Sequence, residues 1–499
     1  MQRPERHNTI ARTLCIPLML ALALPMLIGV AWAEPSDPEA QKTSRIDRLE
    51  QTLQSVVEEN RRLAEEIRKL QEQPILPTPE AVAPADLGDP PPVVQYDSQS
   101  QFDTGYAAGY DNGFVIVPDN VDDSPFSLKI NNQNTFRYTG FARDATSWTD
   151  SAGNVNPISN SSDFVIPRGR LIFSGNALLP DLTYLLNIDY NTVGNNSIGF
   201  RAFALSYRFS RALQVSVGQN KVPGSREWLA SSWVAQEGPD RSMATTFFRP
   251  SLSQGIWCTG EPRDGLHYHA MLSNGFNTLN QTPNQFNQRV CGSGSAWWEP
   301  WGEFGPGYAD IEDHEDWVVR AGTSYTFALG RGNQSDSNAA ENSSLRLSDG
   351  TVITQLGAFA PGVTLQQYDV SLAAIDFALK CRGFSLSTEI YFQQLSSLQG
   401  NGPLPISSTR AHGGFVQGGY FIIPQRVELY SRTSWVTGSF GSGSEIAGGF
   451  NWFPLEGKSN LRFTFDVAGL ESSPADQNRT GFVAGQTGLL IRTQINSSF

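Results

Sequence analysis

The chain has 499 residues, 39% hydrophobic, 11% aromatic and only 17% charged, with 46 glycines and a formal net charge of −13. The acidity argues against a nucleic-acid binder that neutralises phosphates. No apolar run after the N-terminus is long enough for a membrane-spanning helix. The glycine and aromatic content fits an all-β exported protein.

The N-terminus carries Arg3, Arg6 and Arg12, an apolar run from Leu14 to Val30, and Ala31, Trp32 and Ala33 before Glu34. This is the layout of a cleavable secretory signal over 1–33. Cys15 lacks the small residues that a lipid-anchor site would place before it. Removing three arginines and Glu5 takes the charge from −13 to −15. Cys258, Cys291 and Cys381 remain, an odd number without metal-type spacing, so at most one bridge is expected.

After a short leader, 34–43, apolar positions recur every three and four residues over 44–73. Ile46, Leu53, Asn60 and Ile67 take the a positions of four heptads, while Leu49, Val56, Leu63 and Leu70 take d. Ser44 and Asp47 resemble a capping box. A periplasmic coiled coil of open oligomer number follows. The alternative is a single amphipathic helix on a surface, but the Asn at an a position is better explained by strand registration. Residues 74–105 are proline-rich, with Pro74, Pro77, Pro79, Pro84 and Pro90 to Pro92, and read as an extended or disordered spacer.

From 106 to 499, segments of about ten residues show period-two patterning, the length at which a tilted strand crosses a bilayer. Leu461, Phe463, Phe465 and Val467 oppose Arg462, Thr464 and Asp466. Leu182, Tyr184, Leu186, Ile188 and Tyr190 oppose Asn187 and Asp189, and Val319, Ala321, Thr323, Tyr325 and Phe327 oppose Arg320, Ser324 and Thr326. Residues 197–208 change phase partway, which marks a bulge or a subunit interface. Sixteen strands are expected to begin near 127, 164, 182, 197, 211, 251, 264, 293, 316, 366, 382, 412, 425, 443, 458 and 484. Their connections alternate: tight links such as LLPD, FSR, EPRD, KCR, IPQ and PLEGK face long ones at 142–163, 220–250, 276–292, 330–365 and 395–411. The link at 301–315 breaks the alternation. The last stretch, 484–499, puts Leu489, Ile491, Thr493, Ile495, Ser497 and Phe499 on one side and Arg492, Gln494 and Asn496 on the other. One such strand also suits a soluble sandwich, but the loop asymmetry favours an antiparallel 16-stranded transmembrane β-barrel with both ends in the periplasm.

The body resembles the phosphate-selective porin O and P family of bacterial outer-membrane channels. The likeness is carried by Arg168–Gly169–Arg170 before LIFSG and LPDLTYLLNIDY, VGQNKVPGS at 217–225, and DRS at 240–242 before RPSLSQGI. It continues through AGTSYTF at 321–327, FSLSTEIYF at 384–392, GGFVQGGYFI at 413–422, VELYSRTS at 427–434, GGFNWFPL at 448–455 and the terminal Phe499. The resemblance implies a 16-stranded homo-oligomer, a trimer, with an inward third loop and basic residues passing anions. A clustered lysine set is missing, so phosphate specificity does not carry over with it.

If the apolar faces meet lipid, Lys129, Arg137, Arg168, Arg170, Arg320, Arg426, Arg432, Arg462 and Arg492 point into the lumen, against Asp189, Glu389, Glu428 and Asp466. Such a wall favours anions; alternatively the arginines pair with carboxylates and hold the barrel open. Loop 220–250, with Lys221, Arg226, Trp228, Trp233, Arg241 and Arg249, could pack into the pore, or be an external loop. His267 and His269 lack a third metal ligand, and the acidic run at 310–316 reads as solvated. No Ser, His and acid grouping falls on matched strand ends, so no enzyme activity and no cofactor are expected. The sequence reads as an outer-membrane porin passing small hydrophilic solutes, anions such as phosphate among them. The alternative is an envelope-spacing or cell-wall tether, with a periplasmic or cell-wall partner for the coiled coil.

Overall fold

The computed structural model describes Arg61 and residues 105–118, 126–193, 196–233, 235–278, 290–331 and 344–499. The signal segment, the heptad seam from Ile46 to Leu70 and most of the spacer therefore lie outside the described residues. The chain divides into two units, 1–104 and 105–499, and the second contains all of the strands below.

Short strands β1 (Tyr106–Tyr110) and β2 (Phe114–Pro118) form a hairpin on β3 (Leu128–Arg143), and β4 (Ser147–Thr149) pairs with β5 (Val155–Pro157) in the following loop. The wall continues through β6 (Ser161–Ala177), β7 (Leu179–Tyr190), β8 (Ile198–Ser210), β9 (Leu213–Lys221), β10 (Leu252–Arg263), β11 (Leu266–Ser273), β12 (Cys291–Trp298) and β13 (Val318–Arg331). It is completed by β14 (Leu365–Cys381), β15 (Phe384–Gly400), β16 (Thr409–Ile423), β17 (Val427–Gly438), β18 (Gly441–Trp452), β19 (Leu461–Glu471) and β20 (Gly488–Ser498). Each of these pairs antiparallel with the next, and β20 returns to β3, so β3 and β6 to β20 close a 16-stranded barrel. Beyond the last ladder pair, the Phe499 N–H donates to the Asn132 carbonyl at 3.0 Å and the Asn132 N–H to the Phe499 carbonyl at 2.7 Å. The final residue thus helps satisfy the seam, and no edge is left open.

All sixteen expected strands are present, the largest offset in starting position being 484 against Gly488. Strand faces separate as the alternation requires. On β19 the side chains of Arg462, Thr464 and Asp466 are buried inward, between half-buried Leu461, Phe463, Phe465 and Val467 on the outer face. Ile375, Phe377, Ile390 and Phe392 are likewise exposed on the outside. The change of phase in 197–208 is a bulge: Asn187 pairs with Ala202 but Ile188 with Phe200. Arg201 is the extra residue, and because of it Arg201 and Ala202 both turn inward while Phe200 and Phe203 stay outside.

The tight links are as short as Leu178 alone and Arg382–Gly383, both residues of the latter having positive φ (48° and 76°), the geometry of a two-residue hairpin turn. The exceptional link spans 299–317, and its acidic run is solvated at Glu312, Asp313, Glu315 and Asp316 as expected, with Asp310 the exception. Asp310 is fully buried, accepting from the Gly383 N–H at 2.7 Å and contacting His314 Nδ1 at 2.5 Å, while Glu312 pairs with Lys380 at 3.1 Å. The run binds this end of the barrel to the β14–β15 turn. The three cysteines of the barrel are free thiols.

Candidate functional site

The connection from β9 to β10 does not stay outside the wall. Its neck is closed by the Val222 N–H donating to the Ser251 carbonyl at 3.0 Å, and the residues between run into the lumen, where almost all are buried. Two short helices form there, α1 (Arg226–Leu229) and α2 (Met243–Phe248), capped by Ser225 and Ser242, whose hydroxyls accept from the Trp228 and Thr245 amides.

Between the helices the backbone has no ladder of its own, so its carbonyls need donors. The wall supplies them. Asn496 reaches the Trp233 carbonyl (3.2 Å), Arg462 the Gln236 carbonyl, Asn451 the Glu237 carbonyl (2.8 Å), and Gln494 and Arg137 that of Pro239 (3.2 and 2.9 Å). Arg432 takes the carbonyl of Asp240 (3.0 Å).

Wall carboxylates hold the helix starts. Glu389 on β15 accepts from the Arg226 and Glu227 amides at 2.7 and 3.0 Å, and Glu445 on β18 from the Met243 amide at 2.8 Å. Glu227 then accepts from the Ser242 hydroxyl at 2.7 Å, linking the start of α2 to α1. Lys221 Nζ donates to the carbonyls of Trp228, Leu229 and Ala230 within 2.9 Å, which compensates the negative end of α1.

Trp228 is wholly buried with Arg249, Arg241 and Lys221 against its ring at 4.3, 4.8 and 5.0 Å from the centroid. Arg226 lies over Tyr308 (4.3 Å) and Phe304 (5.0 Å) of the 299–317 link. Trp233 is also wholly buried. Of the six residues named for this loop, Lys221 ends β9 and the other five, Arg226, Trp228, Trp233, Arg241 and Arg249, are all inside the barrel.

The expected wall arginines are inside too, but engaged. Arg168 forks onto Asp240 at 2.5 and 3.1 Å and Arg137 adds a third contact at 3.0 Å. Arg492 takes Asp466 Oδ1 at 2.5 and 2.8 Å, and Arg432 takes Glu445 at 2.6 Å. Arg170 shares Asp189 with Arg479 (3.3 and 2.5 Å). Arg320 lies between Glu299 and Asp376 at 3.2 and 3.4 Å.

Two of the named residues sit at the barrel's rim. Arg426 precedes the first residue of β17 in the β16–β17 turn, where it is half-exposed against Glu456 at 2.7 Å. Lys129, at the start of β3, is part-exposed and 3.4 Å from Asp111 of the appended hairpin.

Sequence reading missed the partners that matter most: Asp240, Glu237, Glu227, Glu445, Lys380 and Arg479. Arg479 belongs to the link 472–487, which also turns inward, with Ser473, Thr480 and Phe482 buried. Glu237 and the wall's Glu428 converge over Gly419, where an added Cβ would come 2.4 Å from Glu428 Oε1 and 3.1 Å from Glu237 Oε1. Neutral side chains donate to them from Ser385, to Glu237 (2.7 Å), and from Asn451, to Glu428 (2.8 Å). Burial pushes the Glu237 carboxyl, on the inward segment, up to about 7, against the opposing pull of Lys380, Arg432 and Arg226.

No protein-family model matches the sequence, and no curated protein does. Among solved structures, the chain is similar to an anion-selective porin from Comamonas acidovorans at 12% identity, over 75% of this chain and 100% of that one, with a TM-score of 0.47. It is similar to OprB of Pseudomonas putida at 8% identity, over 76% and 95%, with a TM-score of 0.47. The outer-membrane channel DcaP of Acinetobacter baumannii is 9% identical, over 75% and 97%, with a TM-score of 0.44. Likenesses this distant carry nothing about solute, charge preference or assembly, which rest on the barrel's own residues.

Proposed function

We propose that this protein is an outer-membrane channel for passive diffusion of small hydrophilic solutes, with segment 222–251 as the element that restricts the lumen. The observation that carries this is the inversion of the wall: aliphatic and aromatic side chains outside, guanidinium and carboxylate groups inside. A closed barrel of this strand number is wide enough for an aqueous passage. A barrel serving only as an anchor would be filled more cheaply with apolar chains, because buried ion pairs cost several kcal/mol of desolvation per ion. The polar wall is suited to water, and the inward segment, continuous with the wall at one neck and held to it by side-chain contacts and no strand ladder, is a removable part of the filling.

Anions such as phosphate are the proposed solutes. On the wall strands Arg137, Arg168, Arg170, Arg201, Arg432, Arg462, Arg492 and Lys380 outnumber Asp189, Asp376, Glu389, Glu428, Glu445 and Asp466. Since most of these arginines already hold carboxylates, a modest anion preference is expected, without sharp phosphate specificity. A homo-oligomer registered by the 44–73 seam completes the proposal, and cross-linking of the full chain tests it.

The channel reading is tested by purified protein in planar bilayers under a salt gradient. Discrete conductance with an anion-side reversal potential supports it; absence of any conducting state removes it.

A further inference from the structure

Asp240 differs from the wall carboxylates. Asp189, Asp376, Glu389, Glu428, Glu445 and Asp466 belong to the wall strands, whereas Asp240, like Glu227 and Glu237, arrives on the inward segment, and it forms ion pairs with two guanidinium groups of adjacent strands. Arg168 is paired in register with Thr135, and a register shift between Thr135 and Arg137 brings the next inward residue of β3 beside it. Both guanidinium groups are buried, and Arg137 is braced from behind by Gln494 Oε1 at 2.6 Å and the Arg479 carbonyl at 2.5 Å. Two fixed guanidinium groups beside each other repel unless an anion lies between them, and a planar pair of oxygens fits the fork best. Asp240 provides such a pair: Oδ2 takes Arg168 Nη1 and Arg137 Nη2, while Oδ1 takes Arg168 Nη2 and the Arg241 amide at 2.9 Å.

We propose that Arg137 and Arg168 form an oxyanion site on the lumen wall, that Asp240 occupies it as an internal stand-in for solute, and that a carboxylate or phosphate ion competes with Asp240 there. Docking of the segment and binding of a lumenal oxyanion then exclude each other, so solute favours the undocked lumen. The inference deepens the channel reading, because an oxyanion must reach the lumen for the exchange to act on transport. Chloride, a single point acceptor, cannot span the fork and competes poorly. The neighbouring Arg492 already has Asp466 on its own side of the wall, so it adds positive field without needing the incoming ion.

The test uses the full chain refolded into detergent micelles, with sodium acetate or sodium phosphate compared with sodium chloride at equal ionic strength. Asp240→Ala empties the fork. Its urea-unfolding midpoint is expected below that of the unaltered protein in chloride and to rise with acetate or phosphate. The half-saturating concentration should be at least about tenfold lower than any seen for the unaltered protein, since a ligand bound only by the folded state stabilises it by mass action. The arm with the lower half-saturating concentration tells carboxylate from phosphate. Adding Arg168→Gln to Asp240→Ala should abolish the salt-specific rise. Equal responses of Asp240→Ala and the unaltered protein, or a response that survives Arg168→Gln, would overturn the proposal.

Should Asp240→Ala fail to refold in chloride, refolding yield becomes the readout: recovery in acetate or phosphate supports the site, and failure in all three salts overturns it. Bilayer recordings separate the two claims. A non-conducting protein that shows the rescue loses the channel reading alone, and a conducting one without rescue loses the oxyanion site alone.

Discussion

Glu389→Gln is the substitution that most cleanly loosens the inward segment while leaving the wall's main-chain ladders in place. Its carboxylate accepts the Arg226 and Glu227 amides at 2.7 and 3.0 Å, and the Tyr391 hydroxyl at 2.8 Å. Glutamine keeps one acceptor and turns an NH2 toward the other donor. One hydrogen bond worth about 0.5–1.5 kcal/mol is lost, and a buried donor is left unsatisfied at roughly 1–3 kcal/mol. Taking about 3 kcal/mol for the two together, the docked-to-undocked ratio should fall on the order of 100-fold. Barrel closure should survive, because the β14–β15 and β15–β16 pairings run through the main chain. Single-channel recordings are expected to show a higher-conductance level whose occupancy rises accordingly. Tryptophan emission should move to longer wavelength as Trp228 and Trp233 meet water. Recordings and emission indistinguishable from the unaltered protein would refute the view that Glu389 holds the segment.

Other perturbations probe separate parts. Because burial raises the Glu237 carboxyl to about 7, the folded state retains a proton that the unfolded chain releases near 4.5. Its contribution to stability is therefore fullest below about pH 4.5, declines as pH rises to about 7, and is level above that. Urea midpoints over this window should show the decline, and Glu237→Gln should make it shallower, since burial also raises the Glu227 carboxyl of the same segment. Arg492→Gln strips Asp466 of both guanidinium contacts while the Tyr430 hydroxyl stays. Breaking a buried pair in this way should cost about 3–5 kcal/mol, read as a lower urea midpoint, and a midpoint within error of the unaltered protein would contradict the burial assigned to this pair. Deleting Arg201 removes the extra residue of β8 and leaves Phe200, Ala202 and Phe203 alternating out, in and out with consecutive partners on β7. Refolding yield should stay close to that of the unaltered protein, and a sharp drop would show that the bulge is required for closure.

The wall was legible because lipid outside and polar groups inside impose a period of two on every strand, and tight links against long ones mark the two ends. The change of phase near 200 was visible for the same reason, and it proved to be one inserted residue, Arg201. What period two cannot supply is the partner across the lumen. Arg168 could be sent inward from its own strand, but Asp240 meets it from a connection with no ladder to fix its register. Arg426 shows the rule applied one residue too far, since β17 begins at Val427 after a turn in which Gln425 has φ 55°. Asp310 read as solvated with the rest of its run because its burial depends on the distant Gly383 amide. In the inward segment, the density of Trp and Arg was a usable sign, whereas Glu227 and Glu237, which link the helices and meet the wall, carried no local pattern.

The proposed limit to passage is this segment and not the wall. The hydrogen bond between Val222 and Ser251 shows that its ends already meet, so residues 223–250 can be replaced by a two-residue turn without opening the barrel. Planar-bilayer conductance of that variant should be several-fold larger than that of the full chain and steady in time. A folded variant with unchanged conductance would contradict the account.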